Sequence, residues 1–388
     1  MVQAPEETQD IQLELAHKKF LLKTTDVPGL DKDKLKGDIL EVVFRDDLAP
    51  IYESLCAELG LPVDSAKLQD MKSKNAAKLV ELEAKLSDAQ ENLGETEVRD
   101  ALHAKALYLC AIGDREAAAK AFTETEAKTA GSGKKMDLVF SQIRLNMFYG
   151  DWHKVKVQLA RAKQLCDEGG DWERKNKLKV YQAVFAMYSR DFKQASALFQ
   201  DAIATFSATE LFSYQQVIFY VVVTSIIALD RVELKAKVVD APEILTAIGQ
   251  TPHLKEYLDS LYSCQYQVFF RAFNEIITLI KSDPYLAAHV RYYMREVRVV
   301  AYAQFLESYK SVTLASMAAA FDVSPSFIDL ELAGLIVSGR LNAKIDKVAG
   351  VIETNRPDAK NALYHDSIKK GDLLLNRIQK LSKVIDVE

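Results

Sequence analysis

Most of the chain spaces its apolar residues three and four apart, the period of a helix with one buried face, and one stretch near residue 340 switches to the period of two expected of strands. Between residues 11 and 61 short amphipathic helices are expected to alternate with breakers at Pro28-Gly29, Pro50 and Gly60-Leu61-Pro62, making a loosely regular cap. The residues before about Asp10 are polar, carry nothing to pack and are expected to be mobile. A longer helix follows over about 65–93, where Asn75, Leu79, Leu82, Leu86, Ala89 and Leu93 form a narrow seam among Lys and Glu. A helix laid along its own domain accounts for that seam better than a free coiled-coil site.

No proline stands between Pro62 and Pro242, which favours uninterrupted helices joined by short turns. The turns repeat. Asp114, Asp151, Asp191 and Asp230 each open the second helix of a pair, at spacings of 37, 40 and 39 residues, near the period of tetratricopeptide-like hairpins. Each Asp is placed to cap a helix at the positive end of its dipole, while Ala117, Ala118 and Phe122, or Ala195, Leu198 and Phe199, face a neighbouring helix. The expected product is a right-handed solenoid that holds other proteins.

Beyond Pro252 the stretch 254–280 is rich in aromatics, and Ser282-Asp283-Pro284 breaks it before a helix over 289–309. No linker of Gly, Ser or Pro follows that helix, so the solenoid and the next module are expected to move as one body. Residues 309–355 read as a winged helix. Val312 and Leu314 open it, Ala315 to Phe321 form a helix, and Ser324 with Pro325 starts a second helix that Gly339 ends. Leu341, Ala343 and Ile345 then alternate with Asn342, Lys344 and Asp346, and Val351 to Thr354 follow a turn at Gly350, giving a hairpin with one buried face. Asn355-Arg356-Pro357 stops the sheet. Residues 368–385 are expected to form a helix of about 27 Å at 1.5 Å per residue. Its apolar face is Ile368, Leu374, Leu375, Ile378, Leu381 and Ile385, with Lys369, Lys370, Arg377, Lys380 and Lys383 outside. It carries no Trp or Phe, which favours docking into a bundle of partner helices over a membrane surface. The expected organisation is a mostly α chain: an N-terminal helical region over 1–94, a repeat solenoid over 95–308, a winged helix over 309–356 and a C-terminal helical tail over 357–388.

Composition narrows the function. The 388 residues are 49% hydrophobic and 27% charged with a formal net charge of −5, a profile that argues against life on phosphate backbones and for protein partners. Cys56, Cys110, Cys166 and Cys264 lie far apart and read as buried thiols in a reducing compartment. The acidic N-terminus lacks an apolar core, so no secretory signal is expected, and the longest apolar run, 217–229, is too short to span a bilayer. Gly131-Ser132-Gly133-Lys134 lacks the other positions of a phosphate loop and reads as a flexible turn. The six histidines are never closer than 36 residues, and neither HExxH nor GxSxG occurs, so no catalytic residue, metal or cofactor is expected. Arg291, Arg295 and Arg298 share a helix face that could grip RNA or an acidic partner, although structural ion pairs are the commoner explanation. The second helix of the winged module, residues 324–338, contributes Asp329 and Glu331 and no Lys or Arg, which argues against DNA. A short, half-apolar strand edge is better suited to pairing with another protein's sheet.

A helical-repeat solenoid running into a winged helix is the PCI architecture, shared by scaffold subunits of the proteasome lid, the signalosome and translation initiation factor three. NLGETEVRDA (92–101), GGDWERKNKLKVYQ (169–182), RDFKQA (190–195), KIDKV (344–348), ETNRPD (353–358) and IKKGDLLLNRIQKLS (368–382) resemble the non-ATPase lid-subunit family of the 26S proteasome, over roughly residue 40 to the end. That resemblance implies a non-catalytic scaffold whose winged helices align side by side while the C-terminal helices gather in a bundle. Carried onto this chain, the winged-helix edge would be Leu341, Ala343, Ile345, Val351 and Glu353, and the bundle residues Ile368, Leu374, Leu375, Ile378, Leu381 and Ile385. The implied partners are other PCI subunits of the lid, the lid metalloprotease module and the ATPase ring of the base, in cytoplasm and nucleus, with no membrane or cofactor. A signalosome PCI subunit and a winged-helix nucleic-acid binder stand as the alternatives.

Overall fold

A computed structural model describes residues 10–24, 31–60, 62–92, 94–354 and 359–385. The expected features at Pro28-Gly29, Leu61, Leu93, Asn355-Arg356-Pro357 and the first nine residues lie outside that set. The chain forms two compact units, Met1–Glu296 and Val297–Glu388.

The first unit opens with three helices, α1 (Ile11–Lys23), α2 (Lys32–Arg45) and α3 (Ala49–Leu59). Pro50 sits in the first turn of α3, where its missing N–H costs nothing, so this expected breaker is a helix start. The region is more regular than a loose cap. Leu15, Leu22, Ile39, Val43, Ile51, Tyr52 and Leu55 share one core with Met71 and Phe148 from later helices. Asp10 is also packed, contrary to the expectation of a free tail: it caps α1, its N–H donates to the Glu210 carbonyl at 3.0 Å, and its carboxylate accepts from Arg144 Nε at 2.8 Å.

The long helix α4 (Ser65–Asn92) follows, and its seam packs within the chain: Asn75 and Ala89 are buried, and Tyr108 donates to Asn75 Oδ1 at 3.0 Å. Helical hairpins come next: α5 (Glu95–Ile112) with α6 (Arg115–Lys128), α7 (Ser132–Phe148) with α8 (Trp152–Gly169), and α9 (Trp172–Tyr188) with α10 (Phe192–Ile203). The side chains of Asp114, Asp151 and Asp191 accept from the N–H groups of Ala117, Lys154 and Gln194 at 3.1, 3.2 and 3.1 Å, as N-caps should. The sequence period reappears in space. Arg115 pairs with Asp151, Arg161 with Glu126, and Arg174 with Asp137, at sequence separations of 36, 35 and 37, so like positions of successive hairpins touch. Arg144 adds a fourth contact of this kind, to the Tyr181 hydroxyl at 3.0 Å and a separation of 37.

Gly113, between α5 and α6, has φ +86°, and a Cβ there would sit 2.4 Å from Ile51 Cγ1, so both backbone and space demand glycine. The GSGK stretch is not a turn. Gly131, with φ +94°, is the N-cap of α7, and Ser132 to Lys134 are its first residues. The apolar run forms α11 (Tyr214–Ala228), buried from Val217 to Ile226. No helix among the described residues is long and apolar enough to cross a membrane.

Asp230 is the exception among the four turns. Its side chain makes no capping bond, and α12 (Arg231–Leu234) passes into a π-helical turn, Lys235–Val239, before Pro242 starts α13 (Pro242–Ala247). Proline eight residues on from α12's last residue leaves no room for a full second helix. The aromatic stretch is two helices, α14 (Leu254–Tyr262) and α15 (Tyr266–Ser282), because the chain turns at Cys264 with φ +61°. Tyr257 stacks on Phe269 at 5.0 Å and shares a 3.0 Å hydrogen bond with Tyr293 of α16 (Val290–Glu307), the helix within which the two units divide.

The second unit continues from α16 through β1 (Ser311–Thr313), α17 (Leu314–Phe321), α18 (Pro325–Val337), β2 (Ala343–Asp346) and β3 (Val351–Thr354) to α19 (Ala359–Ile385). Tyr302 and Phe305 of α16 meet Phe321 at 5.0 and 5.4 Å, and Met317, Ile328, Leu332, Leu341 and Ile352 complete the core. This is the winged helix expected from the sequence.

Candidate protein-interaction surfaces

The winged module ends in a three-stranded antiparallel sheet of order β1-β3-β2. Val312, Ile352 and Ile345 lie abreast across it, with Val312 and Ile352 buried; beside them Ser311, Glu353 and Lys344 lie abreast on the other face, where Glu353 and Lys344 are a cross-strand pair of opposite charge. Because β3 is central, both sides of its backbone are engaged. Val351 and Glu353 are therefore not edge residues, contrary to the sequence expectation. Leu341 precedes the strand: it is buried, and its N–H meets the Leu335 carbonyl at 3.4 Å as α18 ends. Ala343 and Ile345 do lie on β2, at one edge of the sheet, with Ala343 buried and Ile345 half-buried. What the edge presents outward is backbone and Lys344 rather than apolar side chains.

A larger apolar surface lies on α18, where Ser324 caps the helix by accepting from the Phe327 N–H at 3.3 Å. Ile328, Leu332 and Leu335 face the core, and the opposite face is apolar as well: Phe327, Leu330 and Val337 are 44, 74 and 88% exposed, with Val323 just before the helix. The two acids are occupied within the module. Glu331 takes Arg298 Nε at 2.9 Å and the Tyr302 hydroxyl at 2.6 Å, and Asp329 pairs with Lys347 at 3.1 Å. Burial, with Glu331 beside it, pushes the Tyr302 hydroxyl well above its ordinary pKa. Sequence reasoning weighed the charges of this helix and missed its apolar face. The signal was present, since PSFIDLELAGLIV is apolar on every side, more than a module this small can bury.

The C-terminal helix α19 begins at Ala359, nine residues before the expected Ile368, and its 27 residues span about 40 Å. The expected apolar face is present and open: Ile368, Leu374, Leu375, Ile378, Leu381 and Ile385 are each between 56 and 63% exposed, as are Leu363, Tyr364, Leu373 and Val384 or more so. No described side chain along α19 is buried. An amphipathic helix draws most of its stability from packing of its apolar face, and here that face is open.

Cys56, Cys110 and Cys166 are buried, and burial pushes the Cys110 thiol up to about 12, out of reach of thiolate chemistry. Cys264, expected to be buried, is only partly so because it sits in the α14–α15 turn. Among the described residues no three His, Cys, Asp or Glu side chains converge to hold a metal ion. The arginine stripe divides: Arg298 is the structural ion pair already described, while Arg291 and Arg295 are exposed.

Known proteins align with these elements. The family model described as 26S proteasome subunit RPN7 matches residues 64–237, the PCI domain model matches 277–356, and the model of the RPN7/PSMD6 C-terminal helix of the 26S proteasome regulatory subunit matches 364–385. The 26S proteasome non-ATPase regulatory subunit 6 of Oryza sativa subsp. japonica is 55% identical over 379 residues, covering 98% of this chain and 97% of that protein. Its homolog in Arabidopsis thaliana is also 55% identical, over 98% of this chain and 99% of its own. The 26S proteasome regulatory subunit RPN7 of Saccharomyces cerevisiae is 34% identical over 421 residues, covering 99% and 98% of the two chains.

Proposed function

Since the chain belongs to the family of 26S proteasome non-ATPase regulatory subunit 6, also called RPN7, we propose that it is a non-catalytic scaffold of the regulatory-particle lid, acting in ubiquitin-dependent protein degradation through position alone. The observation that carries this reading is α19, a long amphipathic helix whose whole apolar face is open, next to a winged helix with a second open apolar face on α18. Both surfaces suit protein partners, and α18 offers none of the lysines or arginines that a phosphate backbone requires of a groove-reading helix.

In this reading Ile368, Leu374, Leu375, Ile378, Leu381 and Ile385 enter a bundle of partner helices, and the β2 edge with Ala343 and Ile345 lies against a neighbouring winged helix. The partners are other PCI subunits and the metalloprotease module of the lid, which in turn meets the ATPase ring, in cytoplasm and nucleus. Binding energy from these seams orients the lid; no bond is made or broken on the chain.

The test is affinity purification of the tagged full chain, and of a form ending at residue 370, followed by mass spectrometry. The full chain should bring down lid and ATPase subunits, and the shortened form should fold but lose the lid. Recovery of signalosome subunits without ATPases, or normal lid recovery with the shortened form, would overturn the reading.

A further inference from the structure

The first helix does not stack as a repeat. In a helical-repeat array each hairpin meets its neighbours, so contacts fall within about one repeat of each other in sequence. α1 instead reaches several repeats at once. The Gln12 amide donates to the Cys110 carbonyl and, at 3.2 Å, to the Ala111 carbonyl in the last turn of α5, separations of 98 and 99 residues. The Asp10 carboxylate takes Arg144 Nε of α7, 134 residues on, and the Lys19 ammonium stands 5.1 Å from the ring centroid of Phe148 at the end of α7. The Asp10 N–H reaches the Glu210 carbonyl just ahead of α11, and His17 lines one cavity with Ser213, Gln216 and Phe219 at the start of that helix. Arg144 extends the link to α9 through the Tyr181 hydroxyl.

These partners belong to the first helices of successive hairpins, so α1 lies along the face that those helices line. It is held there as a ligand is held. The last carbonyls of a helix lack partners within it, and Gln12, only 5% exposed, supplies its amide to two of them at the end of α5. Asp10 supplies the carboxylate that Arg144 Nε donates to, and the buried Leu13 lines a second cavity with Met147, Phe148, Leu211 and Phe212. On the other side of the helix Leu15 and Leu22 join the core of α2 and α3. Residues 24–31 connect α1 to α2, and so short a tether keeps α1 at an effective concentration on the order of millimolar over its seat.

We propose that α1 is an intramolecular ligand, an autoinhibitory strap that fills the groove lined by α5, α7 and the start of α11 and closes it to any other helix while it is in place. The seat is chemically specific: carbonyls for an amide, Arg144 for a carboxylate and an apolar strip for a leucine. A helix entering from elsewhere would have to present the same three groups at the spacing of Asp10, Gln12 and Leu13. The strap lies within the first unit and uses neither the α18 nor the α19 surface, so it is independent of the apolar seams on which the scaffold reading rests.

The test uses the full chain with a site for a sequence-specific protease placed within residues 25–30, and the fluorescence anisotropy of a labelled peptide of residues 10–24. After cutting, α1 is held only by its contacts, and the labelled peptide should exchange into its seat at one per chain. The uncut chain should bind the same peptide roughly a hundredfold more weakly, because the tethered α1 outcompetes it. A D10N/Q12A peptide should bind the cut chain about tenfold more weakly than the unchanged peptide. Circular dichroism of the cut chain checks that its helices remain. Equal binding to cut and uncut chain would place the peptide elsewhere; failure to exchange, or loss of the helical signal on cutting, would make α1 part of the core; undiminished binding of the D10N/Q12A peptide would remove the seat. Each of these results would overturn the proposal.

Discussion

Replacing Ile378 and Leu381 on α19 with alanine should leave the isolated chain as stable as before while crippling its assembly. Both side chains are more than half exposed, 56 and 61%, and alanine is at least as good a helix former, so the free chain loses no packing and should hold its Tm within about a degree or two. Full burial of a Leu or Ile side chain is worth about 1.5–3 kcal/mol, and somewhat over half of that remains available to a partner here. The pair thus forfeits roughly 2–4 kcal/mol of interface free energy, or about 30- to 700-fold in affinity. The assay compares thermal melts of the purified proteins with the fraction of each recovered in assembled lid from cells expressing them equally. Lys380→Ala, on the basic side of the same helix, serves as the control that should assemble normally. A double variant that enters the lid like wild type would refute the reasoning. So would a Tm drop of many degrees, because that would mean the helix is packed against its own chain.

Two further predictions concern the first unit. Gly113→Ala combines a left-handed backbone with a Cβ placed 2.4 Å from Ile51 Cγ1, and should cost about 2–4 kcal/mol in denaturant unfolding; wild-type stability would show that the α5–α6 turn yields easily. Asp283 is wholly buried, and desolvation raises its pKa from 3.8 to about 6 against the opposing bonds from the Tyr220 hydroxyl at 2.5 Å and the Tyr285 and Leu286 N–H groups at 2.8 and 3.0 Å. A carboxyl raised in the folded state binds its proton longer than in the unfolded chain. Its contribution is therefore full below about pH 4 and lost as pH climbs through 6, on the order of 3 kcal/mol in all. Asp283→Asn cannot ionise, so its stability relative to wild type should rise by about that amount between pH 4 and 7; a difference that does not change with pH would contradict the burial argument.

Much of the fold was legible because the signals are local. Asp114, Asp151 and Asp191 cap the helices they precede, Ser324 and Pro325 start α18, and the apolar face of α19 is read directly from spacing, since each depends only on residues within a turn or two. The same locality explains the misses. Asp230 carries the same letter as the other three but lacks the length of helix after it, because Pro242 intervenes. The GSGK stretch reads as flexible, yet it starts a helix in which a Cβ on Gly133 would meet the Arg174 guanidinium at 3.2 Å, a neighbour 41 residues away in sequence.

The sequence by itself determined where helices form, where they are capped, and that the chain turns from helical to strand period near residue 340. Only tertiary structure decided which strand lies in the middle of the sheet, since β1 and β3 meet across forty residues and alternation says which face is buried, not which edge is free. Tertiary structure also decided that Arg298 finds Glu331 while Arg295 lies over the ring of Tyr292, and that α18 keeps an apolar face open. Backbone hydrogen bonding and capping are settled between near neighbours, whereas exposure and pairing depend on which distant surfaces compete for the same limited interior.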